Sequence, residues 1–175
     1  MTNYWNLWEN QGRSWEENFS HDKINLKSKY LQREIYFDIF RPGNGEIEFA
    51  IYLIGGAISR ITYDQRGKTV PDTYGNMLDH IARKYGYDNY VLVVNPGYFP
   101  ESNSDVRKFL IEEETAFIED RYPMEWEKGK RALVGISNGG YLAFDIAFIS
   151  DMFFFASSHS APPKLASLAD DYRWR

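Results

Sequence analysis

Gly135, Ser137 and Gly139 set one hydroxyl between two glycines in a G-x-S-x-G string, the pattern in this chain best suited to covalent chemistry. A serine hydroxyl is a weak nucleophile in water. It becomes effective when a sharp turn lifts it clear of the main chain, a base takes its proton, and fixed N–H groups face the oxyanion that forms on an attacked carbonyl. Glycines on either side suit such a turn, because neither brings a Cβ into it. Residues 132–136 read as a short buried strand leading into the serine, and residues 139–150, apolar nearly all round, read as a buried helix leaving it. The expectation is a strand-to-helix elbow with the Ser137 hydroxyl at the carboxyl edge of a sheet and the N-terminal amides of the helix beside it. The competing reading is a glycine-rich turn whose serine only caps the helix, a place that Asn or Asp would fill as well.

An oxyanion hole at such an elbow takes one N–H from the residue after the nucleophile, here Asn138, and a second from the loop after the third strand. Gly56 and Ala57 stand in that loop and are the expected source of the second donor. Loss of one donor typically costs about 3–4 kcal/mol of transition-state stabilisation. The remaining partners are harder to find. His159 is the only histidine after Ser137, and Asp145 and Asp151 fall along the helix that leaves the elbow and its end. Asp145 should sit about 12 Å down the axis, too far to orient a base beside the serine. Asp170 and Asp171 follow His159 and are the acids left to orient it. A strand ending in His159 beside the one ending at Ser137 would bring the ring to the same edge. His80, on the polar side of a helix, and His21, near the amino end, are expected to face solvent.

The elements that must hold these residues are those of an α/β protein. Residues 26–30 and 35–40 read as strands, Pro42, Gly43, Asn44 and Gly45 as a turn, and Phe49–Ile54 as a third strand. Tyr74, Met77, Leu78, Ile81, Ala82 and Tyr85 recur at helical spacing and Gly86 follows in the position of a left-handed cap. Tyr90–Asn95 is a continuous apolar run of the kind buried in a parallel sheet. A helix capped by Ser104 and running through Phe109, Leu110, Phe117 and Ile118 should stop before Pro123, with Glu112, Glu113 and Glu114 as a solvated face. Residues 153–158 make one more strand. Strand and helix then alternate, so the sheet should be mostly parallel, with an antiparallel opening and helices on both faces. Residues 1–23, with Trp5, Trp8 and Trp15 among polar neighbours, read as an arm on a domain formed by residues 24–175.

Composition narrows the chemistry further. A net charge of -5 offers no basic field for nucleic acid or an anionic membrane surface, and the absence of cysteine removes disulfides, thiolate metal ligands and a cysteine nucleophile. The three histidines lack metal-ligand spacing, and Gly67, Lys68 and Thr69 lack the glycine that a phosphate loop needs where Thr62 stands. No cofactor is called for. Without a cationic and apolar leader at its start, the chain is expected in the cytoplasm.

Three blocks resemble one family. The stretch from Lys27 to Pro42 resembles the opening strands, Ile51-Tyr-Leu-Ile-Gly-Gly56 the oxyanion strand, and Ala132 through Ser160 the elbow, helix and next strand of the esterase family that includes esterase D and the enterochelin-esterase-like enzymes. The resemblance implies an α/β-hydrolase domain that cleaves a carboxylic ester or thioester through an acyl-serine, or in some relatives transfers the acyl group to a sugar. It also implies an acid and then a histidine after further strands, and by that measure the domain stops short, after the strand that follows the nucleophile helix. The family usually has His-Gly where Gly55 and Gly56 stand here. A relative that binds an ester, lipid or glycan without turnover would fit the missing partners, and an open last strand would invite pairing with a second copy.

Overall fold

A computed structural model of the chain describes residues 19–43, 46–55, 84–95, 99, 101–122, 126 and 128–161. Their centre is a sheet of six strands: β1 (Phe19–Lys27), β2 (Glu34–Pro42), β3 (Phe49–Ile54), β4 (Tyr90–Asn95), β5 (Arg131–Ile136) and β6 (Phe155–His159), in the order β1-β2-β4-β3-β5-β6. β1 and β2 form an antiparallel hairpin, and β2 is antiparallel to β4. From β4 through β3 and β5 to β6 every pairing is parallel. The expected antiparallel opening and parallel body are both there. β1 starts at Phe19, inside the stretch expected to be an arm.

The parallel strands are apolar on both sides, and each side packs into its own core. Ala50, Tyr52, Ile54, Val91, Val93 and Leu133 face one way, and Leu53, Tyr90 and Leu92 face the other with Phe40. The described helices cover the first side. They are α1 (Asn103–Lys108), a π-helical stretch (Phe109–Glu114), α2 (Thr115–Arg121) and α3 (Asn138–Ile149). Val106, Phe109, Leu110 and Ile118 of the first three pack there with Leu142, Ala143 and Ile146 of α3. The helix expected over Tyr74 to Tyr85 lies outside the described residues apart from Lys84 and Tyr85; Gly86 after them has φ +70°, the left-handed conformation expected of a cap. No described helix is long and apolar enough to cross a membrane.

Four sequence expectations need correction. The cap of α1 is Ser102, whose Oγ accepts from the Asp105 amide at 3.2 Å, and not Ser104. The acidic run is only partly a solvated face. Glu112 and Glu113 turn outward to Tyr30, Ser28 and the Lys29 amide, whereas Glu114 is 0% exposed. A π-helical stretch has wider turns than an α-helix, so it shifts the phase at which side chains face the core. α3 is not buried all round, since Phe148 is 87% exposed and Phe144 and Ile149 are exposed too. His21 does not face solvent freely: its Nε2 lies 2.6 Å from Asp38 Oδ1 and its ring stacks on Phe40. Among the described residues β6 is the last strand in the order, and Phe154 just before it and Phe155 at its start are exposed.

Candidate active site

The parallel strands bring their carboxyl ends to one edge: Ile54 pairs with Asn95 and Gly135, and Ile136 pairs with His159. Ser137 follows β5 at that edge and opens α3. Its backbone has φ 56° and ψ −119°, a conformation that an L-residue adopts only under strain. A helix-capping serine sits in the extended region and lends its oxygen to an amide of the first turn. Ser137 does neither, and its side chain makes no capping hydrogen bond. The bend is held from both sides. The Ser137 amide donates to the His159 carbonyl at 2.7 Å, and the Ser137 carbonyl accepts from Gly140 at 3.0 Å and Tyr141 at 3.3 Å.

The glycines are there for space. A Cβ on Gly135 would lie 2.6 Å from the Gly140 Cα, and one on Gly139 would lie 2.7 Å from the Ile54 carbonyl carbon and closer still to the Ile54 and Gly55 carbonyl oxygens. Gly140 is less tightly held: the Ser158 Oγ, a side-chain atom, lies 2.6 Å from its would-be Cβ, and the nearest main-chain atom, the Gly135 oxygen, lies 3.2 Å away. The start of α3 is thus wedged between the end of β3 and the end of β6. This packing sets the Ile54 and Gly55 carbonyls against Gly139, two residues after Ser137. Sequence reasoning passed over Gly140, although a Gly-Gly pair in a helix's first turn costs roughly 1 kcal/mol per glycine relative to alanine and so signals a close neighbour.

Asn138 is half-buried as the first residue of α3, so its amide lies at the positive end of a 12-residue helix. Gly56 and Ala57, the expected second donors, lie outside the described residues, as do Asp170, Asp171 and His80. His159 closes β6 at the right edge, but its exposed ring is engaged elsewhere: Nε2 is 2.8 Å from Ser157 Oγ. Among the described residues no hydrogen bond joins that ring to Ser137, and the link between the two is the carbonyl. Asp145 is buried and paired with Arg107 of α1 at 2.6 Å, a tie between two helices.

No protein-family model matches the chain, and no curated protein matches it. Solved structures do. A CE1 ferulic acid esterase from the anaerobic fungus Anaeromyces mucronatus superposes with a TM-score of 0.64 at 19% identity, over 87% of this chain and 62% of that one. S-formylglutathione hydrolase from Staphylococcus aureus gives 0.61 at 14% identity, over 87% and 61%. The enterobactin esterase from Shigella flexneri gives 0.59 at 18% identity, over 77% and 34%. The chain has the fold of these proteins, the α/β-hydrolase fold. It spans under two thirds of their length.

Proposed function

We propose that this α/β-hydrolase chain is a serine hydrolase acting on a carboxylic ester or thioester, with Ser137 as its nucleophile. The strained backbone at Ser137, with a side chain that caps nothing, is the observation that carries the reading. Strain at a residue that could be glycine is a standing cost, and it is tolerated where the side chain has work to do. In this mechanism Ser137 Oγ bonds to the ester carbonyl carbon as its proton passes to a base. The former carbonyl oxygen becomes an oxyanion facing the Asn138 N–H and a donor from Gly56 or Ala57. Collapse expels the alcohol or thiol, which takes the proton, and water then releases the acid from the acyl-serine by the same steps.

His159 holds the elbow through its main chain, and we place the proton acceptor outside the described residues. Asp170 and Asp171 would orient His159 only if its ring left Ser157 and turned over Ser137. The fold neighbours are named for a ferulic acid esterase, an enterobactin esterase and an S-formylglutathione hydrolase, which include both oxygen esters and a thioester. The substrate class proposed here is accordingly both kinds of ester.

Mixing the protein with p-nitrophenyl acetate tests the reading. A burst of p-nitrophenol and an acetyl mass on the peptide containing Ser137 are expected, and His159→Ala should leave the burst rate within about threefold. No burst and no acetyl adduct would favour a relative that binds esters without cleaving them. A large loss in His159→Ala would return that residue to the place of the base.

A further inference from the structure

Beneath the same edge lies a polar pair that the proposed chemistry does not use. Asn95, the last residue of β4, is 2% exposed, and Glu114, the last residue of the π-helical stretch, is 0% exposed. The Asn95 Nδ2 donates to Glu114 Oε2 at 3.0 Å. The other oxygen of each group, Asn95 Oδ1 and Glu114 Oε1, is buried with no hydrogen-bond partner. Both are acceptors while Glu114 is ionised, so two adjacent groups would be left with unanswered lone pairs and an unpaired charge in an apolar core. One proton on Glu114 Oε1 makes it a donor and answers both orphans.

We propose that Glu114 and Asn95 form a proton-dependent latch: Glu114 holds its proton in the folded protein at neutral pH and donates it to Asn95 Oδ1, and losing that proton frees the π-helical stretch from the end of β4. The surrounding charges agree with a neutral acid. Tyr52 of β3 is near enough to Glu114 to feel it: its phenol is pushed well up, by burial first and then by Glu114, and its hydroxyl is likewise buried with no hydrogen-bond partner. Arg131 of β5 is paired with Glu119 of α2, and Arg107 of α1 with Asp145 of α3. Glu112 and Glu113 are bonded on the outer side. Among the described residues no cation pairs with Glu114. Burial pushes its carboxyl up to about 8, against a smaller lowering by the Asn95 bond. Asn95 pairs with Ile54, whose carbonyl packs on Gly139, so the latch braces the edge on which the elbow rests.

The test is denaturant unfolding of the wild type and of Glu114→Gln from about pH 5 to about pH 9. Glutamine keeps both hydrogen bonds as an amide pair and does not titrate. A carboxyl raised in the folded state contributes stability that is fully present below its unfolded value and is lost as pH rises through about 8. The wild-type folding constant should therefore fall about tenfold per pH unit relative to Glu114→Gln, levelling off above that value. Parallel profiles would overturn the proposal. Infrared spectra of the wild type supply a second readout that needs no variant to fold. A protonated-carboxyl band at neutral pH that vanishes in alkali supports the latch, and its absence at neutral pH overturns it.

Discussion

Ser137→Gly is expected to unfold at a higher urea concentration than the wild type while losing essentially all ester turnover, and Ser137→Ala is expected to lose turnover with no gain in stability. At φ 56° and ψ −119° an L-residue carries roughly 1–3 kcal/mol of backbone strain, which glycine does not feel. Glycine's extra freedom in the unfolded chain returns about 0.4–1 kcal/mol of that gain. The net effect is a stabilisation of about 1 kcal/mol for glycine, whereas alanine keeps the Cβ and therefore the strain. Removing the nucleophile from a complete serine site lowers kcat by up to about 10⁶-fold, and what survives comes from the oxyanion hole and binding. Stability and rate thus move in opposite directions at one position. A serine at this bend with no catalytic part would show the same gain in stability with activity unmoved.

The second large effect is expected at Gly139. Gly139→Ala places a methyl 2.7 Å from the Ile54 carbonyl carbon, with the Ile54 and Gly55 oxygens nearer still. These are main-chain atoms in and just after a central strand, so no side chain can swing away to relieve the contact. Overpacking a core typically costs about 1–3 kcal/mol, and a backbone obstacle puts this case at or beyond the top of that range. If the protein folds, α3 must back away from β3 by about 1 Å, a shift that can cost about 10²-fold in rate when it separates the nucleophile from an oxyanion donor. Gly129→Ala is the control, because nothing lies within 4 Å of its would-be Cβ. Thermal or urea unfolding of the two variants side by side checks the argument; equal midpoints would mean that the wedge at the elbow is not tight.

Much of this was legible in the residues themselves, for physical reasons. β3 and β4 coincide with their expected bounds because apolar runs buried on both faces stop where polar residues, glycine or proline begin. The elbow was legible because its glycines have a steric reason to be there, and that reason depends on local geometry alone. β1 was harder: it is the first strand in the order, its exposed Lys23, Asn25 and Lys27 alternate with only half-buried neighbours, and Ser20, His21 and Asp22 before them carry little apolar signal. Glu114 was misread because three acids in a row look like a solvated face, and nothing in the local sequence announces the π-helical turn that carries the third inward. Asn95 offered a clue, as the one polar residue closing an apolar strand. The part His159 plays could not be read from spacing at all, because its carbonyl and its ring serve different neighbours.

Reaction with a fluorophosphonate probe is the most direct test of the claim that the bend at Ser137 presents a reactive hydroxyl. The expected outcome is one covalent adduct, mapped by peptide mass to Ser137 and absent from Ser137→Ala. A folded wild-type protein that takes up no probe, or takes it up equally in the alanine variant, would contradict it.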